Sequence, residues 1–325
     1  MTRRRTRRKK PLPALAALAL ALIALAAGGY KGKLPGFSDA LPTAGGPPSG
    51  GPLTSPGSSG EGAFHGDGAM AVHFIDVGQG DSILAESDGH FLLIDAGEND
   101  QGDTVISYLE EAGVEALDYV IGTHPHSDHI GGLDDVIRAF DVETVILPPV
   151  EHTTKTFEDV LDAIEEKDLS ITLPVPGDSY ELGGAAFTIL APQRDYGDDL
   201  NNWSVGLRLA CGDGAFVACG DAEAQAEEDM AASGLALSAD VLKIGHNGSS
   251  TSTSDAFLKA VSPAFAVISC GEGNSYGHPH KETLEKLEAA GIQVLRTDLL
   301  GDITAQWGED GVTWAYSRNS AAELP

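Results

Sequence analysis

The ten residues from Thr123 to Gly132, THPHSDHIGG, constrain this chain more than any other stretch. The apolar segment 117–121 before them predicts a buried strand, and the segment 133–140 after them predicts a helix. Between the two, six positions hold three histidines and one aspartate: His124, His126, Asp128 and His129. Imidazole and carboxylate groups at this density, on a turn between a strand and a helix, favour a divalent metal site over a polar surface loop.

The spacing divides these four residues into two pairs. His124 and His126 are two positions apart, so in an extended segment their side chains leave the same side of the backbone. Asp128 and His129 follow one turn later and can reach a second, neighbouring ion. The stretch therefore predicts a metal site that is able to hold more than one ion.

Charge is distributed unevenly along the 325 residues. Seven of the 20 basic residues lie in the first ten positions, which hold no acidic residue. The remainder carries 13 basic and 49 acidic residues, a net charge of −36. This charge opposes non-specific association with nucleic acid or anionic lipid. Bound divalent ions would reverse its sign locally.

Composition divides the chain into four regions. Residues 1–30, a basic start followed by an Ala/Leu-rich run, predict either a cleaved secretory signal or an uncleaved membrane anchor, with the anchor favoured. Residues 31–68, rich in Gly, Pro and Ser, predict a disordered linker. Residues 69–318 form the predicted folded domain, and 319–325 form a tail. Either N-terminal alternative places the folded domain outside the cytoplasm. Membrane contact is then expected through the N-terminal segment only, and we infer no obligate protein partner.

The order of strand and helix patterns predicts an α/β fold. Strand–turn–strand patterns cover 72–95, 201–219 and 303–316, and apolar strands alternate with amphipathic helices between them. Hairpins followed by alternating strands and helices, twice over, predict two mixed β-sheets face to face with helices on the outer faces. Polar side chains recur where predicted strands end, which is where α/β sheets bind ligands: Asp76, Gln79, Asp81, Asp95, Asn201, Asn202, Asp221, His246, Tyr276, His278 and His280.

The remaining histidines, cysteines and tryptophans are expected to be structural. The absence of a CxxC pair excludes a thiolate zinc site, and buried thiols are favoured over a disulfide. The scattered tryptophans predict core positions, and the histidines outside the clusters predict surface or packing positions. These residues are Cys211, Cys219, Cys270, Trp203, Trp307, Trp314, His65, His73, His90 and His152.

Several of these segments resemble a known family. The run from His124 to His129, followed by Gly131 and Gly132, resembles the HxHxDH motif of the metallo-β-lactamase fold. Taken with the segments 74–82, 201–204, 220–221, 242–246 and 276–280, it is similar to the hydrolase domain of ComEC/Rec2-type competence proteins, over about residues 70–300. The similarity is to the hydrolase part and not to the membrane spans of the channel, so we do not expect a DNA-uptake pore.

The resemblance implies an αββα sandwich with two divalent metal ions between the sheets. His124 and His126 would bind the first ion, Asp128, His129 and His246 the second, and Asp221 would bridge both. Asp76, Asp81 and Asp95 would orient the ligands. Two such ions, about 3.5–4 Å apart, would activate a water for in-line displacement at phosphorus, and Asp128 would take part in catalysis.

The sequence departs from the family pattern at two positions of the site. No histidine stands where many members supply a third ligand to the first ion, and the segment Asn201–Ser204 takes its place. The first ion would then be weakly held or oxygen-rich, which makes manganese and magnesium candidates alongside zinc; we expect zinc or manganese, with magnesium possible. Asn247 stands where a second histidine usually follows His246.

Other polar residues of these segments have two interpretations each. His278 and His280 are candidate general acids, and with Tyr276 could bind a phosphate, or they only close their loop. Asn202 and Ser204 could hold substrate or a metal-bound water. Lys243 could neutralise a phosphate or pair with an acid, and Gln79 and Asp81 could form only a turn.

The resulting prediction is an extracytoplasmic, metal-dependent phosphodiesterase, acting on nucleic acid and most simply on single-stranded DNA. One alternative is a hydrolase of a small ester, lactone or nucleotide on the same fold. Another is a metal-binding surface module without enzymatic activity. A β-lactamase is less expected because the third histidine ligand of the first ion is missing.

Overall fold

A computed structural model describes residues 70–308 and 311–318. The predicted signal or anchor, the linker, the tail and His65 lie outside these residues. Within the described part, the helices are all too short or too polar to cross a membrane.

Strands and helices alternate through most of the described chain. The strands are β1 Met70–Phe74, β2 Ile83–Ser87, β3 His90–Ile94, β4 Ala116–Ile121, β5 Asp141–Ile146, β6 Ile171–Thr172, β7 Ser179–Leu182, β8 Ala185–Ala191, β9 Gly206–Cys211, β10 Gly214–Ala218, β11 Val241–Lys243, β12 Phe265–Ile268, β13 Gln293–Arg296, β14 Ile303–Gly308 and β15 Gly311–Tyr316. The α-helices are α1 Gly102–Glu111, α2 Ser127–Ile130, α3 Leu133–Ala139, α4 Lys155–Glu166, α5 Ala224–Ala232, α6 Asp255–Val261, α7 Lys281–Ala289 and α8 Thr297–Leu300.

The strands form two mixed sheets. The first has the order β15-β14-β1-β2-β3-β4-β5-β6, and the second has the order β13-β12-β11-β10-β9-β8-β7. An apolar core between the sheets includes Phe74, Phe187 and Phe216, all fully buried. A second core joins the first sheet to α1, α3 and α4, and a third joins the other sheet to α5, α6 and α7. The predicted sandwich of two mixed sheets with helices outside is therefore confirmed.

Local sequence explains why the chain turns where it does. Asp88 and Gly89 join β2 to β3 with positive φ angles of 51° and 77°, as a two-residue hairpin turn requires. The hydroxyl of Thr154 accepts a hydrogen bond from the backbone N–H of Phe157 and caps α4. Both signals are readable from the residue types, and the hairpin agrees with the strand–turn–strand pattern of residues 72–95.

Three details differ from the predicted elements. The strand expected from residue 201 begins only at Gly206, because Asn201–Trp203 form a 3-10 helix. The short strand β7 was not predicted, and the turn within the metal motif folds as the one-turn helix α2. None of the three cysteines forms a disulfide and all are buried, while Trp203 and Trp307 are each 8% exposed.

The topology places the carboxyl ends of several strands at one edge of the sandwich. β3 and β4 run parallel in the first sheet, and β10, β11 and β12 run parallel in the second. Residues that follow these five strands are therefore brought together although they are far apart in the sequence.

Candidate metal centre

A buried group of imidazoles and carboxylates lies at this edge. His124, His129 and Asp221 each place a ligand atom within 4.8 Å of the others, and all three side chains are at least 98% buried. His124 and His129 follow β4, whereas Asp221 follows β10 of the other sheet. The site therefore exists only once the two sheets have packed together.

Asp95 sets the orientation of His129. Its Oδ1 accepts a hydrogen bond from the backbone N–H of Thr123 (2.8 Å), and its Oδ2 accepts from the Thr123 hydroxyl (2.7 Å). Nδ1 of His129 donates to the same Oδ2 over 2.8 Å. Because Nδ1 carries the proton, neutral His129 presents a lone pair at Nε2, which is the form that binds a metal ion.

Two hydroxyl groups set the orientation of His124. Its Nδ1 lies 3.1 Å from Oγ1 of Thr123 and 3.3 Å from Oγ of Ser204. The Thr123 hydroxyl already donates to Asp95, so its oxygen accepts from His124 Nδ1–H. Nε2 of His124 is left as a lone pair, 3.0 Å from Nδ1 of His126 and 3.9 Å from Oδ2 of Asp221.

The other predicted ligands surround this core. Nε2 of His246 lies 3.4 Å from Oδ2 of Asp221, and Oδ2 of Asp128 lies 3.9 Å from Nε2 of His129. The Asp128 loop is fixed from the backbone: Asp81 N–H donates to the carbonyl of Asp128, and a side chain at Gly80 would collide with that carbonyl. All six predicted ligands thus fall in one cluster.

Two atoms at the centre of the cluster show that it fits a metal cation. Nε2 of His129 and Oδ1 of Asp221 are buried 3.1 Å apart, and neither makes a hydrogen bond. A buried polar atom without a partner costs about 1–3 kcal/mol, so such a pair is kept only where something else satisfies it. A divalent ion held by nitrogen and carboxylate donors would satisfy both atoms.

The pKa shifts also indicate that the centre requires positive charge. Burial lowers the pKa of His124 well below its usual value, and it also lowers that of His126, so both rings are neutral. Burial opposes a charge on His129, but Asp221, Asp95 and Asp128 outweigh it and raise its pKa. Burial likewise opposes ionised Asp221, yet the surrounding histidines lower its pKa.

The three carboxylates expected to orient ligands behave differently from one another. Asp95 orients a predicted ligand directly, through its hydrogen bond with His129. Asp81 is buried beneath the site, where its carboxylate pairs with Lys243 over 2.7 Å and accepts from Asn247. Asp76 contacts no ligand: it closes its own turn through Gly78 N–H and pairs with Arg318. The orienting role predicted for Asp76 is therefore wrong, because its strand end turns away towards the C-terminal segment.

Three of the four predicted substrate-binding residues, Lys243, Asn202 and Ser204, are buried and do not face a substrate. Lys243 is 1% exposed and its ammonium is occupied by Asp81, so it pairs with an acid and does not neutralise a phosphate. Asn202 is 2% exposed, and its Oδ1 accepts from the backbone N–H groups of Glu223 and Ala226 at the start of α5.

Ser204, the third predicted substrate-binding residue, is also fully buried. It accepts from Asp221 N–H over 3.0 Å and contacts His124. It therefore positions two ligands at once and does not touch substrate.

The loop 276–280 borders the centre. The His278 ring lies edge-on to His246 at 5.6 Å and stacks on Tyr276, whose side chain is the fourth predicted substrate contact and is 65% exposed. His280 is used within the loop: its Nδ1 accepts from Ser250 N–H, and its Nε2 lies 3.4 Å from the carbonyl of Tyr276. His280 therefore closes the loop, and His278 is the histidine of the pair that faces the metal centre. Burial and the nearby His246 lower the pKa of His278.

Two residues of the site, Thr123 and His152, were missed as functional candidates, and the roles of Gln79 and Asn247 were left open. Thr123 links Asp95 to His124, and Gln79 and Asn247 form hydrogen bonds beside the centre. His152 was expected to be a surface or packing residue, yet its ring lies 6.1 Å from that of His126. The position of Thr123 directly before His124 was the sequence signal for its role.

The fold and the site define a class. Residues 75–272, more than half of the chain, match the family model of the metallo-beta-lactamase superfamily, and the chain belongs to that superfamily, whose members are mostly metal-dependent hydrolases. A solved metallo hydrolase, Igni18 from Ignicoccus hospitalis, shares the fold with a TM-score of 0.50 and 19% identity, covering 73% of this chain and 99% of that one.

Within the superfamily, the chain is similar to proteins of bacterial competence. It is 32% identical over 250 residues to ComE operon protein 3 of Bacillus subtilis, covering 71% of this chain and 32% of that protein. It is 33% identical over 244 residues to the competence protein ComA of Neisseria gonorrhoeae, covering 74% and 33%. The chain thus spans about a third of the length of these relatives, and the sequence resemblance to the competence family is confirmed.

Proposed function

We propose that this chain is a metal-dependent phosphodiesterase that cleaves single-stranded DNA outside the cytoplasm. The observation that carries the proposal is a pair of buried atoms at the centre, Nε2 of His129 and Oδ1 of Asp221, which lie 3.1 Å apart and make no hydrogen bond. They lie among four further donors from both sheets: His124, His126, Asp128 and His246. Bound there, two divalent ions would supply an activated water and neutralise charge on a phosphoryl group.

The residues around the centre have separate tasks in this proposal. Asp95, Thr123 and Ser204 hold the imidazoles with their lone pairs turned inward, so no reorganisation is needed when the ions bind. His278 stands beside His246, within reach of a substrate bound at the centre. Exposed Tyr276 stacks on His278 and offers a free aromatic face on which an unpaired base can stack.

The charge of the chain favours a local over an extended contact with nucleic acid. A net charge of −36 outside the first ten residues opposes tight, processive binding along a strand. A short contact, with cations at the phosphate and one aromatic ring at a base, avoids most of that repulsion. We therefore infer an enzyme that releases its substrate after each cleavage.

The test combines metal analysis with a cleavage assay. The purified chain is loaded with Mn²⁺ or Zn²⁺, its metal content is measured, and it is incubated with end-labelled single-stranded DNA. We expect about two ions per chain, and cleavage that falls about 10²-fold or more in His124→Ala and Asp221→Ala. His90→Ala is the matched control, since His90 is an exposed histidine that pairs with Asp118 away from the site.

Each of the other outcomes rejects the proposal in a different way. Hydrolysis of bis-p-nitrophenyl phosphate without cleavage of DNA would indicate a small-molecule esterase on the same fold. Bound metal without any turnover would indicate a metal-binding module. Cleavage that persists unchanged in both variants would show that the activity does not come from this centre.

A further inference from the structure

A chain of hydrogen bonds runs through two side-chain amides beside the metal centre. It begins at Asn247, which is completely buried and has a left-handed backbone with φ of 50°. Its Nδ2 donates to Oδ1 of Asp81 (3.2 Å) and to the carbonyl of Ser269 (3.1 Å). A carbonyl oxygen only accepts, so Nδ2 must face Ser269 and Oδ1 must face the other way.

The orientation of the next amide, Gln79, is fixed from both ends. Its Nε2 donates to Oδ1 of Asn247 over 3.0 Å, and its Oε1 accepts from the backbone N–H of Gly271 over 3.3 Å. A backbone N–H only donates, so turning the amide over would break both hydrogen bonds at once. The far end of the chain is held by the buried pair of Asp81 and Lys243.

The amide of Gln79 determines which nitrogen of His278 carries a proton. Nε2 of Gln79 lies 3.4 Å from Nδ1 of His278. An amide NH₂ group cannot accept, so Nδ1 of His278 must be the acceptor and be unprotonated. A neutral imidazole with an unprotonated Nδ1 carries its hydrogen on Nε2, on the opposite side of the ring from Gln79.

We propose that Gln79, held in place by Asn247, is a positioning residue that keeps His278 in its Nε2–H form. In that form His278 donates a hydrogen bond to an oxygen of the phosphoryl group, and no proton is transferred. The tautomer is a property of the protein alone, and only its use against a phosphoryl oxygen rests on the function proposed above. The interpretation of His278 as a hydrogen-bond donor replaces that of a general acid, because a neutral imidazole is a poor proton donor.

The tautomer is measured directly by long-range proton–nitrogen correlation spectra of the full chain labelled with ¹⁵N-histidine. The signals of His278 are assigned by their absence in His278→Gln. We expect an unprotonated Nδ1 and a protonated Nε2 in the wild type, and the reverse in Gln79→Glu, whose carboxylate can only accept. Gln225→Glu makes the same charge change on the exposed face of α5 and should leave the wild-type pattern.

Kinetics then test the use of this hydrogen. With Mn²⁺ and single-stranded DNA, Gln79→Glu should lower kcat about 10²-fold, the usual effect of losing one donor to a phosphoryl or carbonyl oxyanion, with little change in KM. Gln79→Met removes the hydrogen bonds without adding charge and should give mixed tautomers and a smaller loss of kcat.

The two measurements separate the failure of this inference from the failure of the proposed function. A protonated Nδ1 in the wild type, or an unchanged pattern in Gln79→Glu, overturns the assignment of Gln79. The expected tautomers together with unchanged kcat in Gln79→Glu overturn the catalytic use of His278. The expected tautomers in a chain that cleaves no diester leave the assignment standing and reject the function alone.

Discussion

In three of the four histidines of the centre, the nitrogen that faces Asp221 is selected by what the other nitrogen of the ring contacts. Nδ1 of His129 donates to Asp95, Nδ1 of His124 faces two hydroxyls, and Nδ1 of His246 lies 3.2 Å from the hydroxyl of Thr251. Their Nε2 atoms are left to face Asp221. His126 differs, because its Nδ1 is the nitrogen that approaches His124. At the scale of single residues, hydroxyl groups orient two of these rings, and the charged groups beside their Nδ1 atoms are Asp95 at His129 and Glu223 at His246.

His152 is the residue whose role at the first ion is most open to test. Its ring lies edge-on to His126 at 6.1 Å, and its Nδ1 is held by the Thr154 hydroxyl, which leaves Nε2 available. We expect His152→Ala to lower the affinity for one of two ions about tenfold and to spare the other, as measured by titration of the metal-free chain with Zn²⁺. Equal affinities in His152→Ala and His90→Ala would show that His152 only packs against His126.

At the scale of elements, the start of α5 is tied to the 3-10 helix Asn201–Trp203. The N-cap residue of α5, Glu223, gives no side-chain hydrogen bond to its own helix. Asn202 supplies the missing acceptor from another segment, through Oδ1 to the N–H groups of Glu223 and Ala226. This contact fixes the start of α5 just after Asp221. The boundary of this helix and the placement of Asp221, a predicted metal ligand, therefore depend on the side-chain amide of Asn202.

Asn202→Ala should therefore act on stability before it acts on chemistry. Two buried N–H groups would lose their acceptor, which costs about 1–3 kcal/mol in the free energy of unfolding. Urea denaturation of the metal-free chain measures this loss. Asn201→Ala is the control, because its amide contacts only the Glu223 side chain. Weaker metal binding or a higher KM in Asn202→Ala, without any loss of stability, would restore the substrate-binding role expected from the sequence.

At the scale of the whole molecule, the four layers bury titratable groups far from the centre. His73 on β1 contacts the hydroxyls of Tyr108 on α1 and Thr304 on β14 through Nδ1, while its Nε2 is buried without a partner. Burial lowers the pKa of His73 to about 4, with Asp302 acting weakly in the opposite direction. The packing of α1 on the first sheet therefore depends on an uncharged His73.

The sign of the resulting pH dependence follows from the lowered pKa. The folded chain binds this proton only near pH 4, whereas the unfolded chain binds it near pH 6.5. The contribution to stability is present above pH 6.5 and is lost as the pH falls towards 4, and the loss reaches about 2–3 kcal/mol at pH 4.5. Between pH 7 and pH 4.5, the wild type should lose about this much more stability than His73→Gln, as measured by urea denaturation. His90→Gln should lose as much stability as the wild type over the same range.

The sequence alone predicted the fold class and the residues that the structure gathers into one cluster of imidazoles and carboxylates. The patterns that carry the fold class and the first four of these residues are local. Strand periodicity, hairpin turns and the dense HxHxDH motif are all contained in short segments, so their meaning does not depend on distant neighbours. The domain boundaries, the N-terminal signal or anchor and the location outside the cytoplasm remain predictions.

The tertiary structure decided what the other polar residues do, because their partners lie far away in the sequence. Lys243 reaches Asp81 and Gln79 reaches Asn247 across more than 160 residues, and Asn202 is committed to α5. A polar residue at a strand end either faces the ligand or satisfies a buried backbone or charged group. Only the packing of the two sheets shows which of these a given side chain does.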